Sequence, residues 1–214
     1  MQPAVCNSQF LGQFGLPDAN EYGYRKCKIK DVALDVRYGT SKPAVDGGQY
    51  PYLRMNNITY DGRLDLSDLK YIDISNEEVD KCLVRSGDLL FNRTNSRELV
   101  GKTCVFDIDQ PMVIAGYIIR VRLSEEVLPV YVSVFLNTDY GKTLLRSMAK
   151  GAIGQANINA KAFQDIDILI PPLHLQEQFA AFVRQSDKSK LLIPRLKEFI
   201  LMGYRGGMGR CKGI

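Results

Sequence analysis

A short apolar run leads directly into a polar loop near the middle of the chain: residues 87–97 are Gly-Asp-Leu-Leu-Phe-Asn-Arg-Thr-Asn-Ser-Arg. An apolar, aromatic run that starts after a glycine turn predicts a strand over Gly87–Asn92. The loop that follows, Asn92–Arg97, carries only amide, hydroxyl and guanidinium side chains. Such a loop is either an ordinary solvated turn or a surface that contacts base edges and phosphates.

Similar strand signals flank this run. Segments rich in β-branched or aromatic residues predict further strands at Ile29–Val36, Tyr50–Met55, Thr103–Ile108 and Tyr117–Leu123. From Pro129 the pattern becomes helical, with helices predicted over residues 130–136, 140–149 and 159–164 and a closing strand over 166–170. Strands followed by helices, without strict alternation, predict an α+β fold.

These patterns divide the chain into four segments. Residues 1–24 form an N-terminal segment with a helix ending near Gly15, residues 25–172 the main domain, residues 173–202 a long helix, and residues 203–214 a glycine-rich, flexible tail. Apolar residues of the long helix are spaced in alternating steps of four and three, which is typical of a coiled-coil seam, and Pro194 interrupts it. The residues of this seam predicted to bind a partner are Leu175, Phe179, Phe182 and Ile193.

The net charge, the apolar content and the number of histidines and cysteines exclude several classes of protein. The 214 residues carry a net charge of +4, a mild excess that allows an anionic partner without demanding one. No stretch of about 18 apolar residues and no secretory signal is present, so we expect a cytoplasmic protein without a membrane segment. One histidine and widely spaced cysteines argue against a metal site and a histidine-based hydrolase, so no catalytic residues, metal or cofactor are predicted.

A second candidate surface is a basic stripe. Lys142, Arg146 and Lys150 recur every fourth residue, so a helix would place all three cations on one face. Such a stripe either tracks phosphates or simply faces solvent.

Amide residues form a third candidate. Gln155, Asn157 and Asn159 alternate with apolar residues, so in an extended segment their side chains would share one side. They either read bases or satisfy backbone groups in a buried turn. A fourth, less specific set follows the ends of the early predicted strands: Lys42, Arg54, Asn56 and Asn57.

Taken in order, five stretches resemble one half of the specificity (S) subunit of type I restriction–modification systems. They are residues 8–15, residues 39–42 with 52–58, residues 86–93 with 100–102, residues 151–159 and residues 168–178. The resemblance implies an α+β target-recognition domain followed by a spacer helix, with residues 1–24 containing the end of a preceding spacer helix. It also implies a non-catalytic subunit that reads one half-site on double-stranded DNA.

The resemblance further implies partners and site residues. Methyltransferase (M) subunits, which bind S-adenosylmethionine, and restriction (R) subunits, which use ATP, would be positioned by this chain, which needs no cofactor itself. The predicted DNA-contacting residues are Lys42, Arg54, Asn56, Asn57, Asn92, Arg93, Thr94, Asn95, Ser96, Arg97, Lys102, Lys142, Arg146, Lys150, Gln155, Asn157 and Asn159.

Two departures from the family leave alternatives open. Only one recognition domain is present, and Pro194 interrupts the spacer helix. The chain is therefore a half-subunit that pairs with a second S half or with itself through the spacer helix, a fragment, or a truncated, silent cassette that acts only as a protein–protein assembly module. A self-contained nuclease is a third hypothesis, which no carboxylate or metal constellation in the sequence supports.

Overall fold

The computed structural model describes residues 3–151 and 154–186, with side chains from residue 6 onward. The helices are α1 (Pro3–Phe14), α2 (Ile29–Val32), α3 (Asn76–Cys82), α4 (Pro129–Asn137), α5 (Asp139–Met148), α6 (Ala160–Gln164) and α7 (residues 173–186), with a 3-10 turn at Met55–Asn57. The strands are β1 (Arg25–Lys28), β2 (Ala33–Tyr38), β3 (Tyr50–Leu53), β4 (Lys70–Ile72), β5 (Leu83–Val84), β6 (Leu89–Asn92), β7 (Thr94–Asn95), β8 (Thr103–Val105), β9 (Met112–Ile114), β10 (Ile118–Leu123), β11 (Ala156–Asn157) and β12 (Asp167–Ile170). The predicted α+β class is confirmed.

A four-stranded antiparallel sheet, ordered β2-β10-β6-β8, separates two hydrophobic cores. Successive residues of a strand face opposite sides, so Ile119 and Val121 enter the first core while Ile118 enters the second. On β6, Phe91 joins the first core and Leu90 the second. The sheet is therefore covered on both faces, which explains why β6 is a continuous apolar run.

Three smaller sheets complete the topology. The second core lies against a sheet ordered β4-β3-β9-β5, in which only the β3–β9 pair is parallel. The strand β1 pairs with β12 and so joins the start of the domain to its end. The strand β7 pairs with β11, which brings the Asn92–Arg97 loop against residues 154–159.

A buried ion pair connects the central sheet to its surroundings. Arg120 of β10 is only 2% exposed, and its guanidinium donates to the Asp35 carboxylate and to the Leu83 carbonyl. Burial raises the pKa of Asp35, but hydrogen bonds from Arg120 and Arg37 outweigh it and hold that pKa below its usual value. Asp35 therefore neutralises a charge that would otherwise be buried alone.

The helices α1 and α7 pack antiparallel over the first core. The ring centroids of Phe10 and Phe14 lie 5.5 and 5.4 Å from that of Phe179, and the Cys6 sulfur lies 4.0 Å from the Ser186 hydroxyl. Phe179 is 1% exposed, so the structure gives it a role inside the chain rather than at a partner's surface. Leu175 and Phe182 are partly buried against the same core.

Several predicted elements lie where expected. The strands within Tyr50–Met55, Gly87–Asn92, Thr103–Ile108 and Tyr117–Leu123 are confirmed, as are the helices α4, α5 and α6 and the closing strand β12. Ile193, Pro194, the spacer helix beyond residue 186 and the tail over 203–214 lie outside the described residues. The four-segment division stays a prediction. No helix in the described part of the chain is long and apolar enough to cross a membrane.

The predicted strand over Ile29–Val36 is wrong in its first half, which forms the helical turn α2. The Asp31 carboxylate accepts the Lys28 backbone N–H at 2.8 Å, which satisfies a free donor at the start of that turn. Ile29 and Val32 both enter the first core, which a helical turn permits because residues three apart share a face. The strand β2 then begins at Ala33.

Candidate nucleic-acid interface

The loop that follows β6 is built on buried polar side chains. Asn92 is fully buried, donates its amide to the Tyr117 carbonyl at 3.3 Å and accepts a hydrogen bond from the Asn95 amide at 3.1 Å. Thr94 is 5% exposed, and its hydroxyl accepts from the Asn157 amide at 2.9 Å. These side chains shape the loop, because a buried polar group must find a partner within the fold.

Arg93 is held from three sides. Its guanidinium donates to the Asn157 side-chain oxygen at 3.2 Å and to the Gly116 carbonyl at 3.4 Å, and it lies 4.9 Å from the centre of the Tyr38 ring. The Arg93 side chain therefore joins the two neighbouring loops, and only part of it faces solvent.

Arg97 differs from Arg93 in that it is exposed, and like Arg93 it makes no ion pair with a described carboxylate. The turn beneath it is closed by the Ser96 carbonyl, which accepts the backbone N–H groups of Leu99 and Val100 at 3.1 and 2.9 Å. Hydrogen bonding by its own backbone and by Ser96, together with the charges of Arg146 and Arg97, lowers the pKa of Glu98. The positive charges of Arg97 and of Arg146 on α5 therefore both lower the pKa of Glu98.

Helix α5 packs closely against this loop. The Thr138 hydroxyl caps the helix by accepting the Gly141 N–H at 3.0 Å. Gly101 has a φ of +81°, and a β-carbon there would lie 2.7 Å from a methyl carbon of Leu145. The left-handed backbone favours glycine at this position, and a β-carbon would also force the Leu145 side chain to shift.

Two cations of α5 converge on one tyrosine. Lys142 Nζ lies 3.3 Å from the centre of the Tyr60 ring and donates to the Tyr60 carbonyl at 2.7 Å. Arg146 donates to the Tyr60 hydroxyl at 2.8 Å. Burial, and then the charge of Arg146, lower the pKa of Lys142 to about 8.

The amides of residues 154–159 do not share one role. Gln155 is exposed, whereas Asn157 contacts Thr94 and Arg93 as described above. Asn159 caps α6 by accepting the Ala162 N–H at 2.9 Å. Lys150 is exposed, and its backbone exchanges two hydrogen bonds with that of Asn157 at 3.0 and 2.7 Å, which fixes the end of α5 beside this segment.

Most residues of the fourth candidate set, which are Lys42, Arg54, Asn56 and Asn57, form ion pairs or hydrogen bonds within the fold. Lys42 pairs with Glu78, and Arg54 pairs with Asp68 at 2.7 Å. Asn57 is 2% exposed, accepting the Arg54 N–H and donating to the Asp65 carbonyl, both at 2.8 Å.

Lys102 and Asn56 lie near this set and differ in exposure. Lys102 is 8% exposed and donates to the Met55 carbonyl at 2.6 Å, and burial lowers its pKa. Asn56 is exposed. Lys102 nevertheless links the Met55–Asn57 turn to Asn92, because its carbonyl accepts the Asn92 backbone N–H at 2.8 Å.

Ion pairing divides the cations of the described chain into two groups. Of the six that belong to segments 93–102 and 142–150, none lies within 4.0 Å of a described carboxylate. Of the other fifteen, eleven do, and the exceptions are Lys81, Arg85, Lys161 and Arg184. We call the surface formed by segments 93–102, 142–150 and 154–157 the basic surface. Its positive charge is available to an anionic partner.

Sequence inspection missed two aromatic residues of this region. Tyr60, 43% exposed, holds both α5 cations, and Tyr117, 51% exposed, supports Asn92 and Arg93 through its carbonyl. An aromatic residue directly before the Asp61-Gly62 turn was the only signal for Tyr60. The sequence alone could not pair it with a helix more than eighty positions away.

Comparisons with known proteins identify the family of the chain. Residues 23–202 match the family model described as type I restriction modification DNA specificity domain. The chain is 28% identical over 166 residues to the type I restriction enzyme EcoKI specificity subunit of Escherichia coli strain K12, spanning 76% of this chain and 36% of that protein. It is 29% identical over 193 residues to a protein of Methanocaldococcus jannaschii named as a type I restriction enzyme MjaX specificity subunit, spanning 87% and 45%.

Solved structures show the same fold. The HsdS subunit from Thermoanaerobacter tengcongensis superimposes with a TM-score of 0.63 at 20% identity, over 90% of this chain and 45% of that one. The type I S subunit from M. genitalium gives 0.52 at 12% identity, over 80% and 41%. The chain thus spans less than half the length of these relatives. Because the family model matches most of the sequence, this chain belongs to the family of type I restriction–modification DNA specificity domains.

Proposed function

We propose that this chain reads one half-site of a type I restriction–modification target on duplex DNA. It makes and breaks no covalent bond itself, and it positions methyltransferase subunits, which carry S-adenosylmethionine, and restriction subunits, which carry ATP. The observation that carries the proposal is the basic surface, on which no cation lies within 4.0 Å of a described carboxylate. Duplex DNA supplies the missing anions at regular spacing.

The exposed side chains of the basic surface suit sequence reading. Arg97 can bond guanine through two donors, and Gln155 can bond adenine through its amide. Asn92, Thr94 and Asn157 are engaged within the fold, so they act by holding the loops that carry these readers. Phosphate contacts from Lys150 would add affinity without adding sequence information.

A second recognition half completes the proposal. The chain spans 36% and 45% of its two curated relatives, a share consistent with one recognition domain. Leu175 and Phe182 on α7 remain the predicted contacts to a second S half or to a methyltransferase, since Phe179 is engaged with α1.

The test is selection from a pool of random-sequence duplexes by the full chain, alone and together with its methyltransferase subunit. The bound DNA is sequenced, and binding is repeated over a series of salt concentrations. We expect enrichment of one half-site motif by the chain and a steep loss of affinity with salt. Assembly with the methyltransferase without enrichment of any motif would refute the proposal and favour an assembly module, and magnesium-dependent cleavage by the chain alone would favour a nuclease.

A further inference from the structure

Tyr60 lies beside the basic surface and contacts two of its cations. Its ring is 43% exposed, Lys142 Nζ lies 3.3 Å from the ring centre, and Arg146 donates to its hydroxyl at 2.8 Å. Tyr60 precedes a turn on the side of the second core, whereas both cations belong to α5 on the first. Contacts from two parts of the fold therefore hold two like charges beside each other.

Both cations keep hydrogen-bond donors to spare. Lys142 has three N–H groups and gives one to the Tyr60 carbonyl, while Arg146 has five and gives one to the Tyr60 hydroxyl. Neither lies within 4.0 Å of a described carboxylate; Asp139 and Asp61 act on Lys142, and Glu98 acts on Arg146, only over longer distances. The remaining donors therefore have no acid of the described chain as a close partner.

Electrostatics favours an anion at this position. Burial and Arg146 both lower the pKa of Lys142, which means that its ammonium form is destabilised in the free chain. An anion that contacts both cations would offset this destabilisation by favouring the charged form of Lys142. On duplex DNA the matching group is a backbone phosphate, whose oxygens accept several hydrogen bonds from lysine and arginine.

We propose that Tyr60, Lys142 and Arg146 form a clamp for a single backbone phosphate of duplex DNA, in which Tyr60 is the positioning residue. This inference rests on the proposed function. The clamp contributes binding affinity and fixes the register of the chain on the duplex, whereas the exposed loops read the bases. The clamp binds every sequence equally, because a phosphate carries no sequence information.

The experiment uses the full chain and the same random-duplex pool, with Lys142→Met, Arg146→Met and Tyr60→Phe. Lys81→Met is the matched control, since Lys81 is an exposed lysine on α3 without a described carboxylate partner. Each methionine variant at the clamp should make the slope of log affinity against log salt shallower by about 0.9, equivalent to roughly eightfold weaker binding near 0.1 M salt. The enriched motif should stay that of the unmodified chain.

Tyr60→Phe keeps the ring beside Lys142 and removes only the acceptor for Arg146. We expect weaker binding than in the unmodified chain and no additional loss in the Arg146→Met background, because the two side chains act as one unit. Lys81→Met should leave the slope unchanged.

The outcomes separate the two proposals. If the unmodified chain enriches a motif but the clamp variants keep its salt slope, or alter the motif, the clamp is overturned and the proposed function stands. If the unmodified chain and its assembly with the methyltransferase enrich no motif, both are overturned.

Discussion

Two arginines of one loop allow a sharp test of how the basic surface works. Replacing Arg93 by Ala removes hydrogen bonds at 3.2 and 3.4 Å and the contact with the Tyr38 ring, and leaves the Asn157 oxygen without its donor. Each hydrogen bond is long, so we count about 0.75–1 kcal/mol for each, and about 0.5–1 kcal/mol for the ring contact at a partly exposed site. The expected loss in the free energy of unfolding is therefore about 2–3 kcal/mol.

Arg97→Ala is the matched variant, because the same side chain is truncated four residues away at an exposed position. It should change the free energy of unfolding by less than about 0.5 kcal/mol. At a defined base pair it should instead remove about 1–3 kcal/mol of discrimination.

Thermal unfolding followed by circular dichroism measures the first effect. For a chain of this size about 2–4 °C is lost per kcal/mol, so Arg93→Ala should lower Tm by roughly 4–12 °C and Arg97→Ala by less than about 2 °C. Arg93→Lys should recover little stability, because an ammonium group cannot reach both oxygen acceptors as a planar guanidinium does.

Sequencing of the DNA bound by each variant measures the second effect. Arg97→Ala should blur one position of the motif, whereas Arg93→Ala, where folded, should weaken binding at all sequences. Equal Tm values for the two alanine variants, or a Tm for Arg93→Ala equal to that of the unmodified chain, would refute the assignment of Arg93 to the framework of the loop.

Three further predictions follow from contacts elsewhere in the fold. Asp35→Asn leaves Arg120 as an uncompensated buried charge and should cost about 3 kcal/mol, the low end for such a loss because Asp35 is partly exposed. The pKa of Asp35 is lower in the folded chain than in the unfolded chain. The ionised Asp35 carboxylate therefore stabilises the folded state above about pH 4, and this stabilisation is lost as the pH falls further. Urea unfolding over a pH series should show that the free energy of unfolding depends less on pH in Asp35→Asn than in the unmodified chain. Gly101→Ala should cost about 1–3 kcal/mol because of its left-handed backbone, and unchanged urea unfolding would contradict this. Phe179→Ala should cost about 3–5 kcal/mol, and an intact stability combined with loss of methyltransferase binding would instead place Phe179 at a partner's surface.

The amino-acid sequence by itself determined the elements whose signals are local. The helix α5 follows Thr138 because a hydroxyl there can accept a free N–H of the first turn, and Asn159 begins α6 in the same way. The apolar run of β6 and the polar loop after it are equally visible in the sequence, since strand propensity and side-chain chemistry are properties of neighbouring residues. The strand predicted over residues 29–32 was wrong because the Asp31 carboxylate caps a helical turn there and both Ile29 and Val32 pack into the first core.

Only the tertiary structure decided which charges remain without a carboxylate partner in the described chain. Lys42 and Arg54 resemble Arg97 and Lys150 in the sequence, but Glu78 and Asp68, 36 and 14 positions away, neutralise the first two. Likewise Arg93 is held by residues 23 and 64 positions distant, whereas Arg97 of the same loop faces solvent. Ion pairs and hydrogen bonds depend on distances between atoms in the folded chain, and those distances arise from packing around two cores that no local pattern specifies.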